Sequence, residues 1–154
     1  MTSDSKAKHY KRLADMVRQA AFSEYIPNPA TDADIQAAEQ QLNCTFPESF
    51  KWFQKEFGAY SGFTDVYGVK PLPAPRQNIV GITMQERHEC YPPMPSHLIP
   101  SSDDSGGDSY CFDTSRFVNG ECPVVFWDHE ADEKQIPEQW AINFSAWLEE
   151  ELAD

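Results

Sequence analysis

The chain has 154 residues and a formal net charge of −13, with 40% hydrophobic and 13% aromatic residues. This length fits one domain, and the composition is that of a globular protein and not of a disordered or fibrous one. Because so acidic a protein repels phosphate backbones and anionic lipids, we expect it to bind neither nucleic acid nor a membrane surface. The sequence shows no secretion signal and no apolar run approaching the roughly 20 residues of a membrane span, which predicts a cytoplasmic protein.

Two helices are predicted in the first 45 residues. Apolar residues at helical spacing indicate the first, from about Asp4 to Phe22, and the breaker at residues 27–29 follows it. The second begins after Thr31, which is a favourable N-cap residue. Asp34 stands three positions further on, as in a capping box.

A third helix and an irregular middle region are expected next. Pro47 suits the first turn of this helix, and Gly58 suits its C-terminal end. One short strand is predicted around Val66–Val69. Residues 77–90 are ambiguous, although their apolar spacing suits a helix, and the proline-rich run 92–95 must end any helix there.

After residue 96 the apolar period changes from that of helices to the two-residue period of strands. The predicted strands are His97–Pro100, Ser109–Asp113 and Pro123–Asp128, and a final helix is predicted over Asn143–Leu152. Gly106-Gly107 and Asn119-Gly120 supply residues suited to positive φ in tight connections. Helices first, then strands, then a closing helix predict a single α+β domain with a mostly antiparallel central sheet.

The negative charge is concentrated in two acidic segments of the C-terminal third. Residues 101–154 contain fourteen Asp or Glu residues against Arg116 and Lys134 only. The segment 101–108 does not have the spacing of an EF-hand calcium loop, and the segment 128–133 shows no sign of the burial that paired catalytic carboxylates need. Both segments are interpreted either as solvated loops or as a surface for a basic partner.

No catalytic or metal-binding motif is recognisable. The cysteines Cys44, Cys90, Cys111 and Cys122 are irregularly spaced, which predicts reduced thiols, and only His88 and Cys90 approach zinc-ligand spacing. A P-loop, a nucleophile elbow and a dinucleotide-binding fingerprint are absent from the sequence. The sequence does not exclude a cysteine–histidine dyad, because the two residues of such a dyad are adjacent in space and not in sequence. We predict no catalytic residues, no metal and no cofactor.

Several segments, taken together and in order, resemble the SUKH superfamily of cell-wall-regulator-like and bacterial immunity domains. They are 30–42, 46–53, 57–59, 107–114, 123–130 and 141–148, which include Phe46-Pro47-Glu48-Ser49-Phe50, Gly107-Asp108 and Trp127-Asp128-His129-Glu130. The resemblance implies a SUKH-like domain over residues 30–152, preceded by a helix and connector over residues 1–29. The sequence departs from the pattern in the proline-rich stretches 71–75 and 91–95 and at Asn143, where Ser is common.

The resemblance implies an α+β fold without enzymatic activity and, in bacteria, an immunity protein that occludes a cognate toxin, often a nuclease or deaminase, without forming a covalent bond. The acidic loops are the predicted contact surface: Asp103, Asp104, Asp108, Asp128, Glu130, Asp132 and Glu133. Asp108, Asp113 and Asp128 belong to the family pattern itself. A structural role is therefore the alternative to partner binding for these three residues. Trp52 and Trp127 are interpreted as core residues or, alternatively, as partner anchors. No oligomeric state is predicted.

Two other functions are alternatives to this one. A regulatory interaction module without a toxin partner is the first, and the absence of long disordered arms argues against it. The second is a metal-dependent hydrolase that uses Asp103, Asp108, Asp128 and His129. That function would require stoichiometric metal in the purified protein.

Overall fold

The computed structural model describes residues 2–71 and 78–153. The helices are α1 (Ser3–Ala20), α2 (Asp32–Leu42), α3 (Glu48–Glu56), α4 (Ile79–His88) and α5 (Phe144–Ala153). The strands are β1 (Tyr60–Ser61), β2 (Asp65–Val66), β3 (Leu98–Asp103), β4 (Ser109–Asp113), β5 (Val124–Trp127) and β6 (Glu138–Ala141). Among these residues, no helix is both long and apolar enough to cross a bilayer.

The main sheet has four strands in the order β3-β4-β5-β6, and every neighbouring pair is antiparallel. Strands β1 and β2 form a separate two-stranded hairpin. Helices on one face and a shorter covering segment on the other bury the sheet. The predicted α+β class, with its antiparallel sheet and closing helix, is confirmed.

Local capping explains where α2 begins and ends. The hydroxyl of Thr31 accepts the backbone N–H of Asp34, whose carboxylate in turn accepts the N–H of Thr31, so the predicted capping box is present. Asn43 ends the helix in the left-handed conformation. The carboxylate of Glu39, on the same helix, accepts the N–H of Phe46 at 2.7 Å, which fixes the turn into α3.

The main core lies between the helices and one face of the sheet. The rings of Phe50 and Phe53 on α3 are fully buried and meet Phe144 of α5 edge-on, with centroids 5.4 and 5.5 Å apart. Phe50 also contacts Phe112 of β4 at 4.9 Å. Burying each such ring contributes about 2 kcal/mol, so this aromatic cluster holds the helices on the sheet.

A smaller core covers the opposite face of the sheet, under the chain between α4 and β3. It consists of Met94, Leu98, Cys111, Val125 and Trp127. Trp127 is 1% exposed and is a core residue. Strands β3, β4 and β5 therefore carry buried residues on both faces of the sheet.

Trp52 is only partly buried and packs at the edge of the main core. Its ring stacks on Tyr10 of α1, with centroids 4.5 Å apart. This contact ties α3 to α1, so the side chain of Trp52 serves packing between helices.

The structure differs from the predicted elements at several points. Residues 79–88 of the ambiguous segment are helical, and β3 continues through a bulge to Asp103 where the strand was expected to end at Pro100. The strand expected at 66–69 is confined to Asp65–Val66, and β1 and β6 were not predicted. Positive φ falls on Ser105 and Gly107 in the β3–β4 turn and not on Gly106. Residues 72–75 of the proline-rich stretch 71–75 lie outside the described residues.

Candidate functional site: the acidic edge

The two predicted acidic segments lie at the same end of the main sheet. Residues 103–108 end β3 and turn into β4, and residues 128–137 connect β5 to β6. Asp103 pairs with Ser109, which in turn pairs with Trp127, so the antiparallel register places both segments side by side. We call residues 103–108 and 128–133 together the acidic edge.

A hydrogen-bonded bridge joins the two halves of the acidic edge. Oδ1 of Asp108 accepts both the backbone N–H of His129, at 2.9 Å, and an N–H from its Nδ1, at 2.6 Å. The His129 ring lies against Gly107, where a Cβ atom would stand 2.8 Å from the ring. Gly107 therefore permits the close approach that the bridge needs.

The carboxylates of the first loop hold its own backbone. Oδ1 of Asp104 accepts the N–H groups of Gly106 and Asp108 at 2.8 and 3.1 Å. Asp103 accepts the N–H of Ser105 at 2.9 Å and the hydroxyl of Tyr67 at 3.1 Å. Asp103 and Asp104 thus shape the turn in addition to charging it.

In the second loop, some carboxylates hold the backbone and others extend into solvent. Asp128 and Asp132 each accept the N–H two residues ahead, from Glu130 at 2.9 Å and from Lys134 at 2.7 Å. The side chain of Glu130 is 83% exposed, and Glu133 is exposed as well. These two glutamates are the members of the predicted set best placed to reach a partner without disturbing the loop.

The bridge shifts the ionisation of both its members. A hydrogen bond to Asp108 raises the pKa of the His129 imidazole, although hydration loss acts against this shift. Partial burial raises the pKa of Asp108, but hydrogen bonds from the side chain and backbone of His129 outweigh it and lower the pKa overall. The pair therefore favours imidazolium and carboxylate together.

The residues of the bridge, with Asp128, also lie close enough together to hold a metal ion. One ligand atom each from Asp108, Asp128 and His129 lies within 4.8 Å of the others, and all three residues are half-buried. Oδ1 of Asp108, however, already accepts two N–H groups of His129. The geometry is that of a hydrogen-bonded bridge between loops. Asp103, the fourth residue of the hydrolase alternative, is turned toward Tyr67.

Burial disfavours the thiolate form of the cysteines. All four are free; Cys111 and Cys122 are buried, and Cys44 and Cys90 are half-buried. Burial raises the pKa of Cys44 and of Cys122 to about 12, and it raises the pKa of Cys111 as well. Since the thiolate is the nucleophile, a raised pKa lowers the reactivity of these three thiols at neutral pH.

The acidic edge continues into a cleft that sequence reasoning missed. The cleft, about 670 Å³ in volume, lies beside the β1–β2 hairpin and includes Asp65, Tyr67 and Asp103 among its lining residues. Burial and the nearby Asp103 carboxylate raise the pKa of Asp65. Asp65 and Asp103 are 38 residues apart in sequence, and only the contact of β2 with β3 brings them together.

A row of aromatic side chains, also missed, lies beside the acidic edge on the helix-covered face of the sheet. The rings of Tyr110, Phe126 and Trp140 have centroids 5.3 to 5.6 Å apart on β4, β5 and β6. Trp140 is 41% exposed. The strand that carries Phe126 was predicted, but β6 was not.

The fold gives the class first: this is a small α+β domain built on a four-stranded antiparallel sheet. Within that class the chain belongs to the SUKH family, since the sequence profile described as SMI1-KNR4 cell-wall (SUKH_5) matches residues 10–153. The match begins inside α1. A crystal structure of a protein from Pseudomonas syringae pv. tomato has the same fold, with a TM-score of 0.66 at 20% identity, over 90% of this chain and 95% of that one.

Proposed function

We propose that this protein is a cytoplasmic immunity protein that binds a basic protein toxin through the acidic edge and blocks it without any covalent step. The observation that carries the proposal is the convergence of two acidic loops, 21 residues apart at the Asp108–His129 bridge, on one end of a rigid sheet. Membership of the SUKH family supports a protein toxin as the partner.

The electrostatics of this surface suit a nuclease or deaminase toxin. Such toxins carry a positive active face because their substrates carry phosphates, and a rigid array of carboxylates can occupy that face. Complementary charge also speeds association, which matters for a protein that must intercept an enzyme inside the cell. Lys134 and the His129 imidazole are the basic groups from Asp103 to Asp108 and from Asp128 to Gln135, against seven carboxylates, and the field there is therefore negative.

Within the acidic edge the seven carboxylates have different tasks. Asp103, Asp104, Asp108, Asp128 and Asp132 accept backbone N–H groups and keep the loops in shape. Glu130 and Glu133 project outward and make the direct ion pairs with the partner. The first group acts on binding through loop geometry and through charge, and the second mainly through charge, although Oε1 of Glu130 also lies 3.7 Å from Nε2 of His129.

Co-expression with the product of the adjacent gene tests the proposal. If that product arrests growth of a host and this protein restores growth and co-purifies with it, the proposal is supported. A neighbouring product that is harmless but binds tightly would favour a regulatory interaction module. A toxic product that neither binds nor is neutralised would refute the proposal.

Charge reversal tests the surface once a partner is in hand. Glu130→Lys and Glu133→Lys should each slow association about 3- to 10-fold at low salt, and the difference should shrink as salt is added. Glu89→Lys, at the end of α4, makes the same charge change outside the acidic edge and should leave the rate nearly unchanged. Equal effects of all three variants in stopped-flow measurements would place the interface elsewhere.

A further inference from the structure

Two members of the aromatic row, Tyr110 and Trp140, form one wall of a cleft between β6 and the C-terminal end of α5. The cleft has a volume of about 670 Å³. Tyr110 and Trp140 supply the aromatic surface, and Glu138, Glu150 and Glu151 supply three carboxylates. Acidic groups around exposed aromatic surface are a combination that neither the core nor solubility requires.

The aromatic wall is pre-organised. Trp140 lies against Phe126 at 5.3 Å and against Tyr110 at 5.5 Å, and Tyr110 is backed in turn by the buried Trp147 at 5.6 Å. The 41% exposure of Trp140 leaves part of its ring accessible from the cleft. A rigid, partly exposed tryptophan supported by other rings is typical of a binding hot spot.

The charged side chains that line the cleft are all carboxylates. The pKa of Tyr110 is raised by burial and then by Glu151 on one side and by Asp104 and Asp108 of the acidic edge on the other. No lysine or arginine is among the described residues that line the cleft. Arg116 reaches Gln139 at its border, but its guanidinium is already paired with Asp113 at 2.8 Å.

We infer that this cleft receives an arginine side chain of the basic partner protein, stacked on Trp140 and paired with the carboxylates of Glu138 and Glu150. The inference rests on the proposed function in that the arginine belongs to the toxin. Arginine fits better than lysine because its planar guanidinium stacks on an aromatic ring while its edge donates to carboxylates. The cleft borders the acidic edge, so one basic surface can occupy both.

A peptide titration of the intact protein tests the cleft without any toxin. The probe is a capped tri-arginine peptide, and its neutral control is the same peptide with citrulline, followed by NMR at the indole N–H of Trp140. We expect a saturable shift of this resonance with arginine and none with citrulline. No shift at Trp140, or an equal shift with citrulline, would overturn the inference.

Variants refine the test. Trp140→Leu keeps an apolar side chain and should weaken arginine-peptide binding about 2- to 5-fold. The pair Glu138→Gln and Glu150→Gln should weaken it about 5-fold at low salt, while Glu24→Gln with Glu89→Gln, which remove the same charge outside this cleft, should not. Equal weakening by both pairs would mean that net charge alone attracts the peptide, which contradicts a built site.

Failure of this inference differs from failure of the proposed function. Growth rescue with no peptide response at Trp140 would support the immunity function and show that the cleft does not bind arginine. A peptide response with no toxic neighbour would retain the cleft and remove the toxin.

Discussion

Nδ1 of His129 lies 2.6 Å from Oδ1 of Asp108, and this contact joins two loops that belong to different hairpins of the sheet. The backbone N–H of His129 donates to the same oxygen. One carboxylate thus fixes both the main chain and the ring of its partner. The acidic edge is a single surface because of this pair, and its shape depends on the protonation of a histidine.

The first prediction concerns the pH dependence of the bridge. His129 should titrate above its ordinary value of 6.5, since Asp108 stabilises the imidazolium. Because the folded-state pKa is raised, the stabilisation is fully present below the ordinary pKa and is lost as pH rises through the folded one. The pKa of Asp108 is lowered, so its contribution to stability is fully present above its ordinary pKa. That contribution is lost as pH falls through the pKa of Asp108 in the folded protein.

NMR titration of the imidazole checks this prediction. Asp108→Asn should lower the His129 pKa toward the ordinary value, although the carboxylates of Glu130 and Asp128 still raise it. A His129 pKa that is unchanged by Asp108→Asn would show that the bridge does not form in solution.

The second prediction concerns the glycine under the His129 ring. Gly107→Ala should lower the free energy of unfolding by about 1–3 kcal/mol, because its φ is +99° and the new Cβ would meet the ring at 2.8 Å. The neighbouring Gly106→Ala is the matched control, with ordinary φ and a nearest contact of 3.4 Å to Asp104. Urea denaturation of both variants measures the difference, and equal stabilities would contradict the close contact.

Sequence reasoning located the elements whose signals are local. The capping box at Thr31 and Asp34 and the glycine Gly58 after α3 are signals within one or two turns of the helix ends, and both are present. Strand β6 was not predicted because its residues do not alternate between exposed and buried. Glu138 to Trp140 are all exposed, and Ala141 alone is buried. An edge strand held by backbone pairing to β5 leaves little hydrophobic pattern to read.

The acidic edge was predicted in composition but not in geometry. Net charge and the order of acidic residues are properties of the sequence, so both loops were recognised. The Asp108–His129 bridge depends on strand register between β4 and β5, and the approach of Asp65 to Asp103 depends on contact between two sheets. Neither has a local signal, and neither does the aromatic row that crosses three strands.

The third prediction concerns a buried glutamine that bonds to the backbone. Gln54 of α3 is fully buried; its Nε2 donates to the carbonyl of Tyr67 and its Oε1 accepts the N–H of Val69, both at 3.0 Å. Gln54→Leu fills a similar volume but leaves both backbone groups unpaired, which should cost about 2–4 kcal/mol. Gln36→Leu, on the exposed face of α2, should change the free energy of unfolding by less than about 0.5 kcal/mol. If the two variants unfold at the same urea concentration, the buried bonds contribute nothing net.

The last prediction concerns a cap supplied to α3 from a distant loop. Pro47 at the N-cap position makes no side-chain hydrogen bond, and the carboxylate of Glu121 instead accepts the N–H of Ser49 at 2.9 Å and its hydroxyl at 2.8 Å. Glu121→Ala should cost about 1–2 kcal/mol, as loss of a cap does, whereas Glu121→Gln keeps an acceptor and should cost less.

The pH dependence of this cap has a definite sign. Burial raises the pKa of Glu121 despite the bonds from Ser49 that lower it. Since the folded protein holds this proton more tightly than the unfolded chain does, the wild type loses stability as pH rises from the ordinary pKa through the raised one. The neutral side chain of Glu121→Gln does not have this pH-dependent loss. Measured by urea denaturation, the free energy of unfolding of the variant relative to the wild type should therefore be higher at pH 7 than at pH 4. If the free energy of unfolding of the wild type instead rises relative to that of the variant from pH 4 to pH 7, the carboxylate is not desolvated at the helix terminus.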